Sequence, residues 1–261
     1  MKTERPSKHL LANGDSNTKL RKSAGSGYIT AGLSLSPAQE AGIGNTCPHS
    51  TPGCRAACLD HQGLASVFAS IRAARIAKTQ HFYRYRADFL QWLRDDIERF
   101  QRKADRQGKR LACRLNVFSD IQWEQFPDIV DRFPDVQFYD YTKNPNRAGL
   151  IAPNYWVTLS RAENNQEACL QALRFGKNVS VVFADMSGSF VGNRSKLQTL
   201  PKTWNHFRVV DGDTTDLRFD DPRAGMNGTG YVIGLRLKAA SHKERQTAIN
   251  SGFPVVHGGA A

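Results

Sequence analysis

The chain has 261 residues, with 36 Lys and Arg against 24 Asp and Glu, a formal net charge of +12. Its 40% apolar and 23% charged composition is that of a globular protein with a sizeable core, which excludes a disordered chain. No apolar run approaches the ~20 residues that span a bilayer, and the basic start Met1–Gly14 lacks a signal-peptide apolar stretch, so the sequence predicts a cytoplasmic protein with no membrane partner.

A charge surplus of this size favours a polyanionic partner, DNA or RNA. Residues 1–27 are polar and basic and read as a flexible arm, with 28–261 as a single domain. The first strand is expected in Gly27–Pro37, β-branched and apolar and ended by Ser-Pro. A loop follows that reads NTCPHSTPGCRAACLD (Asn45–Asp60) and holds three of the five cysteines. Next comes a helical region, Ser66–Gln107, whose Phe89, Leu93, Ile97 and Phe100 recur at helical spacing and whose end is marked by Gly108. Its first half, IRAARIAKTQHFYRYR, mixes basic and aromatic residues and is a candidate nucleic-acid face.

Six further apolar runs then recur: Arg110–Phe118, Val136–Thr142, Tyr155–Ser160, Asn178–Phe183, Phe207–Gly212 and Tyr231–Lys238. Most are continuously apolar, the pattern of strands buried on both faces of a parallel sheet. Helical patterns such as WEQFPDIVDRF and ENNQEACLQALRFG separate several of them. The expected fold is therefore α/β: seven mainly parallel strands in a complete or partial (β/α) barrel, with the cysteine-rich loop after the first strand. No Gly-rich phosphate fingerprint opens a helix after a strand, which argues against a Rossmann sheet.

In such folds functional groups gather at the carboxyl ends of the strands. Here those ends carry Asn116, Asp120 and Glu124; Asp140, Lys143 and Arg147; Ser160; and Asp211, Asp213 and Arg218. The aspartates Asp120, Asp140, Asp211 and Asp213 are candidates for acid–base or nucleophilic work. Asn116, Glu124, Lys143, Arg147, Ser160 and Arg218 are candidates for binding a substrate, the cations by holding phosphates. Any one of them also fits a helix cap or a turn; their recurrence at one end of the sheet points to a site.

Cys47, Cys54 and Cys58, spaced C-x6-C-x3-C, are candidate ligands for zinc or a [4Fe–4S] cluster, with His49 or His61 as a possible fourth. Three thiolates after the first barrel strand is also the arrangement of radical S-adenosylmethionine enzymes, although their usual spacing is C-x3-C-x2-C. Cys113 and Cys169 fall in apolar segments and read as core.

The segments TCPHSTPGCRAACL, ARIAKT, RLNVFSDIQWE, FYDYTKNPNR, WVTLSRAEN, NVSVVF and VVDGDTTDLRFDDP, in this order from about Ile29 to Phe253, resemble the "gene 88 protein" family. The resemblance implies a gene of bacteriophages, plasmids or prophages and no settled activity. Asp185–Asn205 departs from the family as a longer loop. These observations together predict an enzyme acting on nucleic acid or a nucleotide-like substrate, for example in DNA base modification, by radical S-adenosylmethionine-like or transglycosylase-like chemistry. The alternative is a zinc-stabilised nucleic-acid-binding protein that acts in replication or maintenance of a mobile element.

Overall fold

The computed structural model describes residues 4–14, 27–58, 68–185, 199–223, 228–239 and 241–258. All seven strands expected from the sequence are present: β2 (Tyr28–Leu33), β3 (Arg110–Arg114), β4 (Gln137–Thr142), β6 (Tyr155–Ser160), β7 (Val179–Asp185), β9 (Phe207–Asp211) and β10 (Val232–Arg236). Each pairs in parallel with its neighbours among the seven. Short strands complete the sheet: β1 (Leu11–Asn13), β5 (Gly149–Ala152), β8 (Thr203–Trp204) and β11 (Val255–His257).

The sheet runs β1-β2-β3-β4-β6-β7-β10-β9-β8, with β5 on β6 and β11 on β7. Two features differ from the expected barrel. The sheet is open, and β10 enters between β7 and β9 instead of following β9. The first has a physical cause. Closure would need free edges on β2 and β9, and each edge is taken by an antiparallel strand, β1 and β8.

Helix α1 (Pro52–Ala56) lies in the cysteine loop. The expected long helix is two helices, α2 (Ala69–Arg84) and α3 (Arg86–Arg106), parted at Tyr85, whose φ −130° and ψ 55° fit neither. Gly108 then takes a left-handed φ of 61°, the conformation that a glycine after a helix adopts without strain. Along α3, Phe89, Leu93, Ile97, Phe100 and Ala104 are buried at spacings of three and four and pack on the β1–β3 side of the sheet. Short α4 (Pro127–Val130), α5 (Gln166–Arg174) and α6 (His242–Asn250) complete the described helices.

The N-terminal arm is not wholly free. Leu10 is fully buried, and the Leu10 and Leu11 amides donate to the Asp96 carboxylate of α3 at 2.7 and 2.8 Å. Two apolar residues in a basic tail supplied enough burial to dock it as β1. Residues 15–26 of the arm, His61 and most of the expected longer loop (186–198) lie outside the described residues. No described helix is long and apolar enough to cross a membrane.

Candidate functional site

A cavity of about 250 Å³ opens at the carboxyl ends of the parallel strands. Cys47, Cys54 and Cys58 line one wall. Asn116, Asp120, Tyr141, Lys143 and Ser160, from the ends of β3, β4 and β6, line its depth. The far wall holds Asp213, Asp216, Arg236 and Lys238, from the β9 end and from β10 with the residues after it.

The cysteine loop is fixed from two sides. Thr51 caps α1, its hydroxyl accepting from the Cys54 amide at 3.0 Å. Glu163, just past β6, accepts from the Thr51 hydroxyl and the Gly53 amide, both at 2.7 Å. Burial raises the Glu163 pKa, and these hydrogen bonds with the Arg161 charge outweigh it, so its carboxyl lies below the ordinary range. A Cβ at Gly53 would meet that carboxylate at 2.7 Å, so a side chain there would push Glu163 off the loop. On the other side, the Cys47 thiol donates to the Phe118 carbonyl and accepts from the Ala38 amide, each at 3.3 Å. Burial pushes its pKa up to about 11.

The three thiols therefore share one wall. Among the described residues, however, no three His, Cys, Asp or Glu side chains are disposed to hold a metal ion. The donor set fits a soft metal by chemistry and by location. The positions of the thiols do not form a coordination sphere.

The expected strand-end residues divide into two groups. Asn116, Asp120, Lys143, Ser160 and Asp213 reach the cavity; Glu124, Asp140, Arg147, Asp211 and Arg218 do not line it. Asp140 is fully buried, accepting from the Asn116 amide (2.7 Å), the Asn116 side chain (3.0 Å) and the Tyr155 hydroxyl (2.7 Å). Burial raises its pKa to about 7 against the pull of those donors. Arg147 is buried, with Glu124 at 2.6 and 2.7 Å and Asp120 at 2.9 Å. Burial lowers its pKa, and the bonds to Glu124 with the neighbouring charges outweigh that, so it stays above the ordinary value.

Asp120 touches the cavity but is committed: besides Arg147 it accepts from the Thr142 hydroxyl (3.0 Å) and the Lys143 amide (2.9 Å). Asp211 pairs with Arg236 at 2.9 Å. Asp213, on the cavity wall, accepts from the Arg236 amide at 2.9 Å and pairs with Lys238 at 3.2 Å. Arg218 is buried against Asp221 at 3.4 Å. Asp211 and Asp213 are thus neutralised by cations of β10 and beyond.

Sequence reasoning missed Arg114. It holds Asp216 through one guanidinium nitrogen at 3.0 and 3.2 Å and lies over the Tyr141 ring at 4.6 Å, at the base of the cavity. An arginine inside the apolar run RLACR was the available signal, because a buried guanidinium needs a buried carboxylate. The basic residues of α2 and its border are also largely engaged within the chain. Arg72 pairs with Glu40, Arg75 lies on Phe118, Lys78 donates to the Leu10 carbonyl and Arg86 lies on Phe82.

Residues 9–251 match the Gene product 88 family. The chain belongs to that family. The match spans nearly the whole fold, from β1 through α6, and so includes the cysteine loop and all of the cavity lining but Phe253. No curated protein and no solved structure matches this Gene product 88 chain.

Proposed function

We propose that the strand-end cavity is the active site of an enzyme acting on a nucleotide-like substrate, either a free mononucleotide or one nucleotide of a nucleic acid presented singly. The observation that carries this reading is the convergence of three cysteines with the polar ends of the parallel strands on one cavity. A volume of about 250 Å³ suits a small ligand and excludes a duplex. Arg55, an exposed residue of the cavity lining, is available for phosphate, with the +12 net charge drawing polyanions toward the protein. Of the four candidate aspartates, Asp120 and Asp213 line the cavity; Asp120 is locked to the buried Arg147, whereas Asp213 is held by Arg236 and Lys238, themselves on the cavity wall, which makes Asp213 the candidate for direct chemistry.

Cys47, Cys54 and Cys58 are the proposed ligands of zinc or an iron–sulfur cluster, which would have to draw the thiols together. Such a group would supply Lewis-acid or redox chemistry; a cluster would make S-adenosylmethionine the cofactor to assay next. Titration with nucleoside monophosphates and with a single-stranded oligonucleotide tests the reading. Saturable mononucleotide binding that is lost in Asp213→Ala is expected. Binding only to the oligonucleotide, steeply salt-dependent and indifferent to Asp213→Ala, would instead favour a non-enzymatic nucleic-acid-binding protein.

A further inference from the structure

Each of the other cavity cations of β3 and β10 with its flank is matched by an acid: Arg114 by Asp216, Arg236 by Asp211, Lys238 by Asp213. Lys143 is different. It lines the cavity, and its ammonium donates to two neutral acceptors, the Ser160 hydroxyl at 2.6 Å and the Arg161 carbonyl at 3.0 Å. The Phe253 ring lies 4.8 Å away. No carboxylate of the described residues makes an ion pair with it. The acidic groups whose charges reach it are, in order, the Cys54 thiol, Asp120, the Cys169 thiol and Glu163; of the two carboxylates, Asp120 is committed to Arg147, Thr142 and the Lys143 amide, and Glu163 to Thr51 and Gly53. Lys143 is half-buried, and neutral hydrogen bonds and a ring face offset only part of the hydration that its ammonium has lost.

An ammonium has three protons, and two are used. Ser160 accepts from Lys143, which leaves its own hydroxyl proton free for a ligand, and it too lines the cavity. Two donors therefore stand side by side next to one positive charge. We propose that Lys143 and Ser160 form a subsite for a carboxylate of the ligand, one oxygen to each donor. The chemistry favours a carboxylate over a phosphate dianion. The subsite offers one cation and no arginine fork, because Arg147 and Arg218, the other expected phosphate holders, lie outside the cavity. The inference rests on the cavity being the active site and adds an acidic group, bound deep, to the ligand it takes.

The test is thermal unfolding of the purified protein in sodium acetate, sodium phosphate and sodium chloride at matched ionic strength. Wild type, Lys143→Met and Ser160→Ala are compared. Acetate at tenfold its Kd is expected to raise the wild-type Tm by roughly 3–5 °C over chloride. Ser160→Ala should weaken that response and Lys143→Met abolish it. Without acetate, Lys143→Met should melt no lower than wild type, because a half-buried charge without a carboxylate partner is gone. A lower Tm for Lys143→Met would make the lysine a structural strut and overturn the proposal. So would an acetate response that survives in Lys143→Met. A larger response to phosphate than to acetate, lost in Lys143→Met, would overturn the carboxylate assignment. Mononucleotide binding at the rim is read separately, so its persistence alongside any of these failures leaves the active-site reading standing.

Discussion

Two polar clusters occupy the same end of the same sheet and differ in one respect. Around Asp140, Asn116, Arg147 and Glu124, every charged group has its partner within the chain. Across the strands, the cavity holds thiols, a lysine without a carboxylate and a serine with an uncommitted proton. The first cluster is closed on itself and ties the β3, β4 and β6 ends together. The second is open to a ligand. Polar residues at strand ends are thus not equivalent: a satisfied network builds the platform, and an unsatisfied one has chemistry left to do.

Substitutions should separate the two clusters. The largest effect is expected from Arg147→Met, which strands Asp120 and Glu124 as buried or half-buried acids without their cation. Urea denaturation should show a loss of about 3–5 kcal/mol. Asp140→Asn should follow with a loss of about 1–3 kcal/mol, because one acceptor oxygen becomes a donor facing donors. Its pH dependence has a definite sign. Burial raises the folded pKa of Asp140 to about 7, above the roughly 3.9 of an exposed aspartate. Its contribution is therefore full below the unfolded value and is lost as pH rises through about 7. The stability gap between wild type and Asp140→Asn should narrow across that range; a gap that widens would mean that the network holds the carboxylate form.

Glu163→Gln sits between the clusters and sharpens the contrast. It weakens the hydrogen bonds that fix the cysteine loop, at a cost of about 1 kcal/mol. Its larger consequence should be faster alkylation of Cys54 by iodoacetamide. An unchanged rate would mean that the loop is held without Glu163.

Much of the platform was legible in the sequence. Seven apolar runs became seven parallel strands, because strands covered on both faces need continuous apolar sequence. Strand order was less legible. The capping of β2 by β1 and of β9 by β8, and the insertion of β10 beside β7, depend on pairings between distant segments that local pattern does not encode. The docking of residues 10–13 was not legible because Leu10 and Leu11 are only two apolar residues in a polar stretch. At the site, Lys143 and Asp140 looked alike, as polar residues at the end of β4. Strand alternation was the missing signal. Residues three apart point to opposite faces, so Lys143 shares the face of Tyr139 and Tyr141 while Asp140 turns with Phe138 toward Tyr155. Arg147 was hidden differently, since nothing local shows that Glu124 and Asp120 close around it.

The central claim is that the three cysteines act together at the open cluster. Metal and sulfide analysis with an absorption spectrum, on anaerobically purified wild type and Cys54→Ser, tests it most directly. The account predicts one zinc, or iron and sulfide in a cluster, per wild-type chain, and loss of that group in Cys54→Ser while the protein stays folded. Wild-type protein without metal, or equal metal content in both proteins, would contradict it.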